Sequence, residues 1–437
     1  MMLERSLVLT RAGFRIFCLT LVLHALAAYA IGPVPIPWLA QLLAIYLFLW
    51  IGFKSGLRIA PGMIIFSFFF IYAMIVTSYQ SIVGDYYNYM PAKATTPYLP
   101  YILLRFMTMA SFGSLVFATF WLLARGYKAK IIKFLAILCL LVSLAALYIY
   151  LAEIYGLPEP PRTRVGTDGG AQSVTFTYAF HRALGTFREP SHLAEWLVLP
   201  LFMTFAEDTW LFYAARGLGV TTLFLTGSLT GIGAILGGIA ASLTLMLPFM
   251  NVAVVKSVVR MVVIGAIGLA AFSMIVSAKS IEDGDLIEVL AKRIEPLKEN
   301  GISKSNRNYV YSYVDSREIP WFGDGLGNSN LQFTEATGLD ATASFLNLFV
   351  NIEMSLGYVG LALFVVFLTT PFVILFANRS YRFEPDHYLI LAAYFGWIVV
   401  FFAHSEELTF HFAIIYALLI HAFIQKRPDN PQQIRAQ

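Results

Sequence analysis

The chain has 437 residues, of which 58% are hydrophobic and only 13% are charged. A soluble domain does not carry so many uninterrupted apolar runs, and runs near the roughly 20 residues that a helix needs to cross a bilayer indicate a helical membrane protein. The runs lack strand-like alternation, which excludes an outer-membrane barrel. The net charge of +4 is informative only through the positions of the lysines and arginines.

The apolar runs predict an all-α polytopic integral membrane protein, with one transmembrane domain over residues 1–437 and about twelve spans by the usual hydropathy window. The predicted spans are 14–31, 38–53, 60–83, 99–124, 131–152, 191–206, 212–227, 230–250, 260–278, 346–377, 387–403 and 408–424.

The basic connectors predict the orientation. They lie at the start of the chain and at 54–58, 125–133, 256–260, 378–382 and 425–427. Each falls at a cytoplasmic end if the N-terminus is inside, as the positive-inside rule requires. The link after the sixth span is an exception, because "EDTW" is acidic and only Arg216 follows it. We therefore expect both termini in the cytoplasm.

Two large loops then lie on the outer face, at 153–190 and 279–345. The first is rich in Gly and Pro. The second begins with a stretch whose apolar residues have helical spacing: Ile287, Val289, Leu290, Ile294 and Leu297. This pattern predicts an amphipathic helix that lies on the membrane surface or caps a cavity.

The stretch "GTFREPSHLAEW", 185–196, concentrates charge at the outer end of the sixth span. Pro190 suits the first turn of a helix. A single Arg or Glu at such a place would be an interfacial anchor, but a cluster of titratable residues favours a functional site. The cluster consists of His181, Arg182, Arg188, Glu189 and His192.

Three motifs in order resemble those of bacterial O-antigen polymerases of the Wzy type, in the O-antigen polymerase/ligase superfamily. They are "RALGTFREPSHLAEWL" at 182–197, "RNYVYSYVDSREIPWFGDGLGNSN" at 307–330 and "ASFLNLFVNIEMSLGYVGLALFVVFL" at 343–368. The second resembles the family's outer-loop pattern, in which an Arg begins an amphipathic helix and a Gly-rich turn follows. The three motifs cover 66 of the 437 residues, about 15% of the chain.

The related O-antigen ligases share the bundle and the large outer loop. Their pattern has an Arg at the start of the eighth span and a His before the "NxxL" segment. Here Leu229 stands at the first position and Ser344 or Phe345 at the second. Both departures count against a ligase, and they favour Arg182 and Arg188 as the functional cations.

The resemblance implies a polymerase for O-antigen, capsule or exopolysaccharide in the bacterial inner membrane, with its active site facing the periplasm. Its substrates would be polyprenyl-diphosphate-linked oligosaccharides, and the growing glycan would pass to a hydroxyl of a fresh lipid-linked unit. A chain-length regulator and a flippase are the expected protein partners. No cofactor and no nucleic-acid partner are expected. We interpret "DGD" at 283–285 as a capped turn rather than a metal site.

This chemistry needs cations for the leaving diphosphate and a general base for the acceptor hydroxyl. The motif positions favour Arg188 and Arg307 as the cations. We expect Glu189, turned off the helix axis by Pro190, to point into a cavity as the base. It would otherwise orient His192 or His404, and His404 lies in "HSEE" beside Glu406 and Glu407.

Further residues are candidates for substrate binding, each with a structural alternative. Arg317 binds substrate or pairs with Asp315 or Glu318. The turn "GDGLGN" either cradles phosphate through backbone N–H groups or is a plain tight turn. The tyrosines stack on sugars or form an interfacial belt. The binding candidates are Arg182, His192, Arg317, Gly325, Gly327, Asn328 and Tyr309, with Tyr86, Tyr87, Tyr311 and Tyr313 as further tyrosines.

A lipid-linked-oligosaccharide flippase or other transporter is the rival from another class. Transporters place charges and broken helices near the bilayer midplane, often in two matching halves. Here the polar and charged residues are concentrated in the two outer loops, which favours an enzyme at the outer interface. A purely structural membrane subunit would leave the charged cluster unexplained.

Overall fold

The computed structural model of the protein describes residues 2–55, 59–86, 97–159, 162–163, 182–246, 308–338, 344–378, 385–405 and 408–424. In these ranges the chain is almost entirely helical. The helices are α1 Met2–His24, α2 Ile36–Ser55, α3 Pro61–Val83, α4 Tyr98–Leu123, α5 Lys128–Tyr155, α6 Pro190–Met203, α7 Trp210–Leu225, α8 Leu229–Met246, α9 Asn308–Asp315, α10 Asn328–Thr337, α11 Leu348–Ala377, α12 Pro385–Ala403 and α13 Phe410–Ile424. A two-residue antiparallel pair, β1 Ala30–Ile31 and β2 Val34–Pro35, joins α1 to α2.

The expected class, an all-α membrane protein, is confirmed at the level of helix length and composition. Six of the described helices are long and apolar enough to cross a bilayer: α2, α3, α4, most of α5, α11 and α12. The helices α7, α8 and α13 are apolar but shorter. The expected span at 260–278 and the amphipathic helix after residue 280 lie outside the described residues, and the count of about twelve spans stays a prediction.

Local signals set several helix ends. Gly156 takes a left-handed conformation after α5, with φ 66°, which an L side chain rarely adopts. Asn347 caps α11, because its side-chain oxygen accepts hydrogen bonds from the N–H groups of Phe349 and Val350 at 2.9 and 3.3 Å. Within α11 the backbone breaks at Gly357, where φ is 66° and ψ is −171°.

Small residues let the helices pack closely, as is usual in membranes. A Cβ added to Gly238 of α8 would lie 2.2 Å from the carbonyl oxygen of Ala392 in α12. Conversely, one added to Gly396 of α12 would lie 2.8 Å from the carbonyl oxygen of Ala234. Elsewhere aromatic rings fill the core, and Phe367 stacks on Tyr416 with centroids 4.3 Å apart.

Arg216, the basic residue that follows the acidic link after the sixth predicted span, has a structural role. It is buried, 1% exposed, and its Nη2 donates to the carbonyl oxygen of Thr204 at 2.6 Å, just after α6 ends. The same nitrogen lies 3.8 Å from Asp208, and the guanidinium packs on the Phe205 ring at 4.3 Å. This cation therefore stabilises the α6–α7 connection instead of facing a membrane surface.

Six of the described helices contribute residues to one cavity at the same end of the bundle. There α1 and α12 end, and α2, α4, α6 and α13 begin. This is the end that the basic connectors predict to be the outer one, since Lys54 and Lys128 lie at the other ends of α2 and α5. The candidate site lies at this shared end.

Candidate active site

A cavity of about 380 Å³ opens among the six helix ends. Its volume is in the range of sites that bind small molecules. Its charged and histidine side chains are Arg105, Arg188, Glu195, His24, His192 and His411. Aromatic rings supply much of the remaining wall, namely Trp38, Tyr101, Phe187, Trp196, Trp397 and Phe410. Charged groups and aromatic walls are thus combined in a single concavity.

The segment before α6 is fixed by hydrogen bonds to residues that follow α1 and α7. Thr186 Oγ1 donates to the carbonyl oxygen of Ala25 at 2.6 Å, and its own carbonyl accepts from the N–H of Ala28 at 2.9 Å. On the other side, Arg182 Nε donates to the carbonyl oxygen of Thr226 at 2.6 Å. Arg182 is therefore outside the cavity lining, and its guanidinium anchors the segment that carries Arg188.

The anchored segment needs a glycine at position 185. The φ of Gly185 is +54°, in the left-handed region. A Cβ at this position would lie 2.8 Å from Cβ of Ala146 in α5. The glycine of the first motif thus has a packing reason as well as a conformational one.

Glu189 has the backbone expected before a proline but not the expected surroundings. It is extended, with φ −138° and ψ 150°, and its side chain does not cap α6. The carboxylate is exposed, accepts a hydrogen bond from Ser191 Oγ at 3.3 Å, and does not line the cavity. The expectation that Glu189 points into the cavity is therefore corrected: the turn that frees it from capping also directs it outward.

The carboxylate that does line the cavity is Glu195, which sequence reasoning treated as part of the span. It is 5% exposed, and its Oε1 lies 3.6 Å from His404 Nε2. The His404 ring meets His192 edge to face, with centroids 5.1 Å apart. The sequence does contain a signal for Glu195: it lies three residues after His192, and residues at this spacing share a helix face.

The second cation of the cavity, Arg105, was also missed. It lies in the first two turns of α4, inside an apolar run, and its Nη2 donates to Tyr101 Oη at 3.0 Å. The guanidinium lies 5.1 Å from the centre of the Tyr101 ring. A lone Arg inside a predicted span is itself a functional signal, because charge in a membrane helix faces a cavity or a partner.

Two histidines, His24 and His411, also line the cavity. His411, at the start of α13, is 1% exposed and lies 4.9 Å from the Trp196 ring. His24, at the end of α1, stacks on Phe410 with centroids 4.5 Å apart. These contacts keep the aromatic side chains of α1, α6 and α13 in fixed positions around the cavity.

The turn "GDGLGN" is a tight turn packed on the bundle, which decides between its two interpretations. The N–H groups of Gly325 and Leu326 donate to the carbonyl oxygen of Ser355 at 2.7 Å and to Thr77 Oγ1 at 2.9 Å. That of Asn328 donates within the turn, to the carbonyl oxygen of Gly325. Because these donors are committed to protein acceptors, they do not form a phosphate cradle.

Asn328 and the two glycines attach the Gly-rich turn to α4. Asn328 is fully buried, and its Oδ1 accepts from Tyr98 Oη at 2.7 Å. Gly325 and Gly327 have φ of +94° and +79°. Tyr101 Oη donates to the carbonyl oxygen of Gly327 at 3.3 Å, and the same hydroxyl accepts from Arg105. The turn thus acts on the cavity indirectly, by holding the tyrosine that holds Arg105.

Arg317 forms an ion pair with neither Asp315 nor Glu318, the two carboxylates near it in the sequence. Its Nη1 lies 3.7 Å from Asp324 Oδ2, bonds to Gln332 Oε1, and the guanidinium packs on the Tyr313 ring at 5.1 Å. Burial raises the pKa of Asp324, and Arg317 opposes that rise. Arg317 lies outside the 380 Å³ cavity and lines a second pocket.

Several sequence candidates fall outside what the structure describes. They are Arg307, His181, Tyr87, Glu406, Glu407 and the side chain of Tyr309, whose backbone belongs to α9. At the ligase positions, Leu229 begins α8, Ser344 bonds to Ser405, and Phe345 is buried against Phe333 with centroids 4.8 Å apart. Tyr86 is buried, and Tyr311 is exposed.

The chain matches no protein-family model and no curated protein sequence. Function is therefore inferred from the geometry of the cavity and from the motif resemblance.

Proposed function

We propose that the protein is a polysaccharide polymerase of the Wzy kind. It would transfer a growing glycan from polyprenyl diphosphate to a lipid-linked repeat unit. One observation carries the proposal: two arginines and Glu195 line a single cavity at one end of a membrane helix bundle, and Glu195 contacts His404. That combination meets both demands of the transfer, an anion site for the leaving group and a base for the nucleophile.

Arg105 and Arg188 are the proposed diphosphate ligands. Guanidinium groups bind phosphate oxygens through paired charge-assisted hydrogen bonds and keep their charge at any relevant pH. Arg105 lies in α4 and Arg188 lies two residues before α6, so a diphosphate bound between them would bridge α4 and the start of α6. Because guanidinium charge neutralises the leaving group, the proposed step needs no metal ion.

Glu195 and His404 are the proposed base. In the step, the acceptor hydroxyl oxygen forms a bond to the anomeric carbon of the donor sugar. The bond from that carbon to the diphosphate oxygen breaks, and its electron pair leaves with the diphosphate. The hydroxyl proton passes to His404 or Glu195, whose Nε2 and Oε1 atoms lie 3.6 Å apart. We place the base here rather than at Glu189 because Glu195 lines the cavity and Glu189 does not.

The aromatic wall suits the sugar part of the substrates. The C–H faces of sugar rings are apolar and pack on indole and phenol rings, while their hydroxyls bond to groups such as Gln41 and Thr409. We place the cavity at the periplasmic face of the inner membrane, as the basic connectors predict for the end at which α1 ends and α2 begins.

Turnover of purified protein tests the proposal. The protein in lipid nanodiscs would receive the lipid-linked repeat unit, and the products would be separated by size. We expect a ladder of glycans together with released polyprenyl diphosphate. Protein in vesicles that moves the lipid-linked unit between leaflets without forming a ladder would instead be a transporter. Transfer to a lipid A-core acceptor alone would make it a ligase.

A further inference from the structure

A second pocket, the outer pocket, lies beside the cavity between the end of α3 and the helices α9 and α10. It has a volume of about 540 Å³. Its lining includes Tyr86, Tyr313, Arg317, Gln332, Glu335 and Ala336. None of these residues lines the 380 Å³ cavity. The two concavities are therefore separate.

A tyrosine-rich wall divides the outer pocket from the cavity. Tyr86, Tyr98 and Leu331 pack in one apolar cluster, with Tyr101 against it. Tyr86 faces the outer pocket, and Tyr101 faces the cavity. A glycan that leaves the cavity along this wall would reach the outer pocket next.

The charges of the outer pocket do not suit a phosphate. The guanidinium of Arg317 is already engaged by the carboxylate of Asp324 at 3.7 Å and by the Gln332 side chain. Glu335 adds a second carboxylate to the rim. Because two carboxylates accompany one guanidinium, the pocket holds no excess positive charge, unlike the cavity with Arg105 and Arg188.

The same groups suit a neutral, hydroxyl-rich ligand. Tyr313 and Tyr86 offer aromatic surface for the C–H face of a sugar ring. Glu335 offers carboxylate oxygens at the rim, and Gln332 offers its amide NH2 group, because only its oxygen bonds to Arg317; such donors and acceptors bond well to vicinal hydroxyls. Ala336 leaves space between them.

We propose that the outer pocket is a second glycan-binding site, which holds uncharged sugars of the repeat unit or of the growing chain away from the reacting diphosphate. The proposal rests on the proposed function for the identity of the ligand, but it concerns different residues.

A filling variant tests this site. The probe is the repeat-unit oligosaccharide, freed from its lipid diphosphate by mild acid, and calorimetry follows its binding to the full-length protein in nanodiscs. We expect Ala336→Trp, which fills the pocket, to weaken binding at least about tenfold. Glu318→Trp, an exposed change on the same outer loop, is the matched control and should bind as the wild type does.

Two further measurements separate this proposal from the catalytic one. Arg188→Ala should still bind the free oligosaccharide, and inorganic pyrophosphate should not displace it. The proposal would be overturned if Ala336→Trp bound the oligosaccharide with wild-type affinity or if Arg188→Ala lost binding. It would also be overturned if the wild type did not bind the oligosaccharide. Should Ala336→Trp fail to accumulate, Gln332→Ala replaces it with the same expected loss. The polymer ladder reports on the proposed function independently of these results.

Discussion

Glu195 Oε1 and His404 Nε2 lie 3.6 Å apart, although 209 positions separate the two residues in the sequence. The contact joins the start of α6 to the segment between α12 and α13, and it faces a cavity that also holds Arg105 and Arg188. A buried carboxylate beside an imidazole is a common arrangement for orienting a base.

Glu195→Gln tests this pair. The amide keeps the shape of the side chain but cannot take a proton or stabilise a charged imidazole, so we expect at least about a hundredfold loss of polymer formation. Binding of the lipid-linked repeat unit should persist. The control is Glu189→Gln, which changes an exposed carboxylate and should polymerise at nearly the wild-type rate. If Glu189→Gln abolishes the ladder and Glu195→Gln does not, the base is Glu189.

The two cavity arginines should be separately required. Arg105→Ala and Arg188→Ala each remove a guanidinium from the proposed diphosphate site, and we expect a hundredfold or greater loss of turnover, on the order of 3 kcal/mol or more. Lysine should restore little, because an ammonium lacks the planar fork. Arg11→Ala, an exposed change in α1, is the control. Normal ladders from both alanine variants would make these arginines interfacial anchors.

Arg307→Ala should also lose polymer, as the motif resemblance predicts.

Gly185→Ala should destabilise the segment that carries Arg188. The left-handed φ of +54° costs an L residue roughly 1–2 kcal/mol, and the new Cβ would lie 2.8 Å from that of Ala146. Thermal unfolding in detergent should begin at a lower temperature. Gly217→Ala in α7 meets nothing within 4 Å and is the matched control, with unchanged or raised stability. Equal melting of the two variants would contradict the packing account.

Asn328→Ala distinguishes a structural from a ligand-binding role for this residue. The change removes the acceptor for Tyr98 Oη and the donor to the carbonyl oxygen of Asp324. Buried groups left without partners cost about 1–3 kcal/mol each. We expect lower thermal stability and less accumulated protein, with Glu318→Ala as the unaffected control. Normal stability with weaker binding of the lipid-linked substrate would show that Asn328 contacts substrate instead.

Cysteine labelling tests the orientation. In a background without Cys18 and Cys139, an impermeant thiol reagent applied from outside should modify a cysteine at Ser316 or Gly169. It should not modify one at Lys130, which is exposed at the opposite end of the bundle. Labelling at Lys130 alone would reverse the orientation and remove the support for a periplasmic active site.

The sequence by itself determined the class of the protein and several local features. Runs of apolar residues predict membrane helices because lipid leaves no other partner for the backbone, and six long apolar helices confirm this class. Pro190 predicted both the start of α6 and the extended backbone of Glu189, since proline restricts itself and the residue before it. The motif at 182–197 contained both Arg188 and Glu195.

Only the tertiary structure decided which of the charged residues face the cavity. Arg182 and Arg188 look equivalent in the sequence, yet one donates to the carbonyl of Thr226 and the other lines the cavity, because the chain between them turns at Gly185. Arg105 could not be grouped with Arg188 from the sequence, since they line the same cavity only because α4 and α6 begin at the same end of the bundle. Which side chains share a cavity depends on contacts between distant segments, and neither hydropathy nor local spacing contains that information.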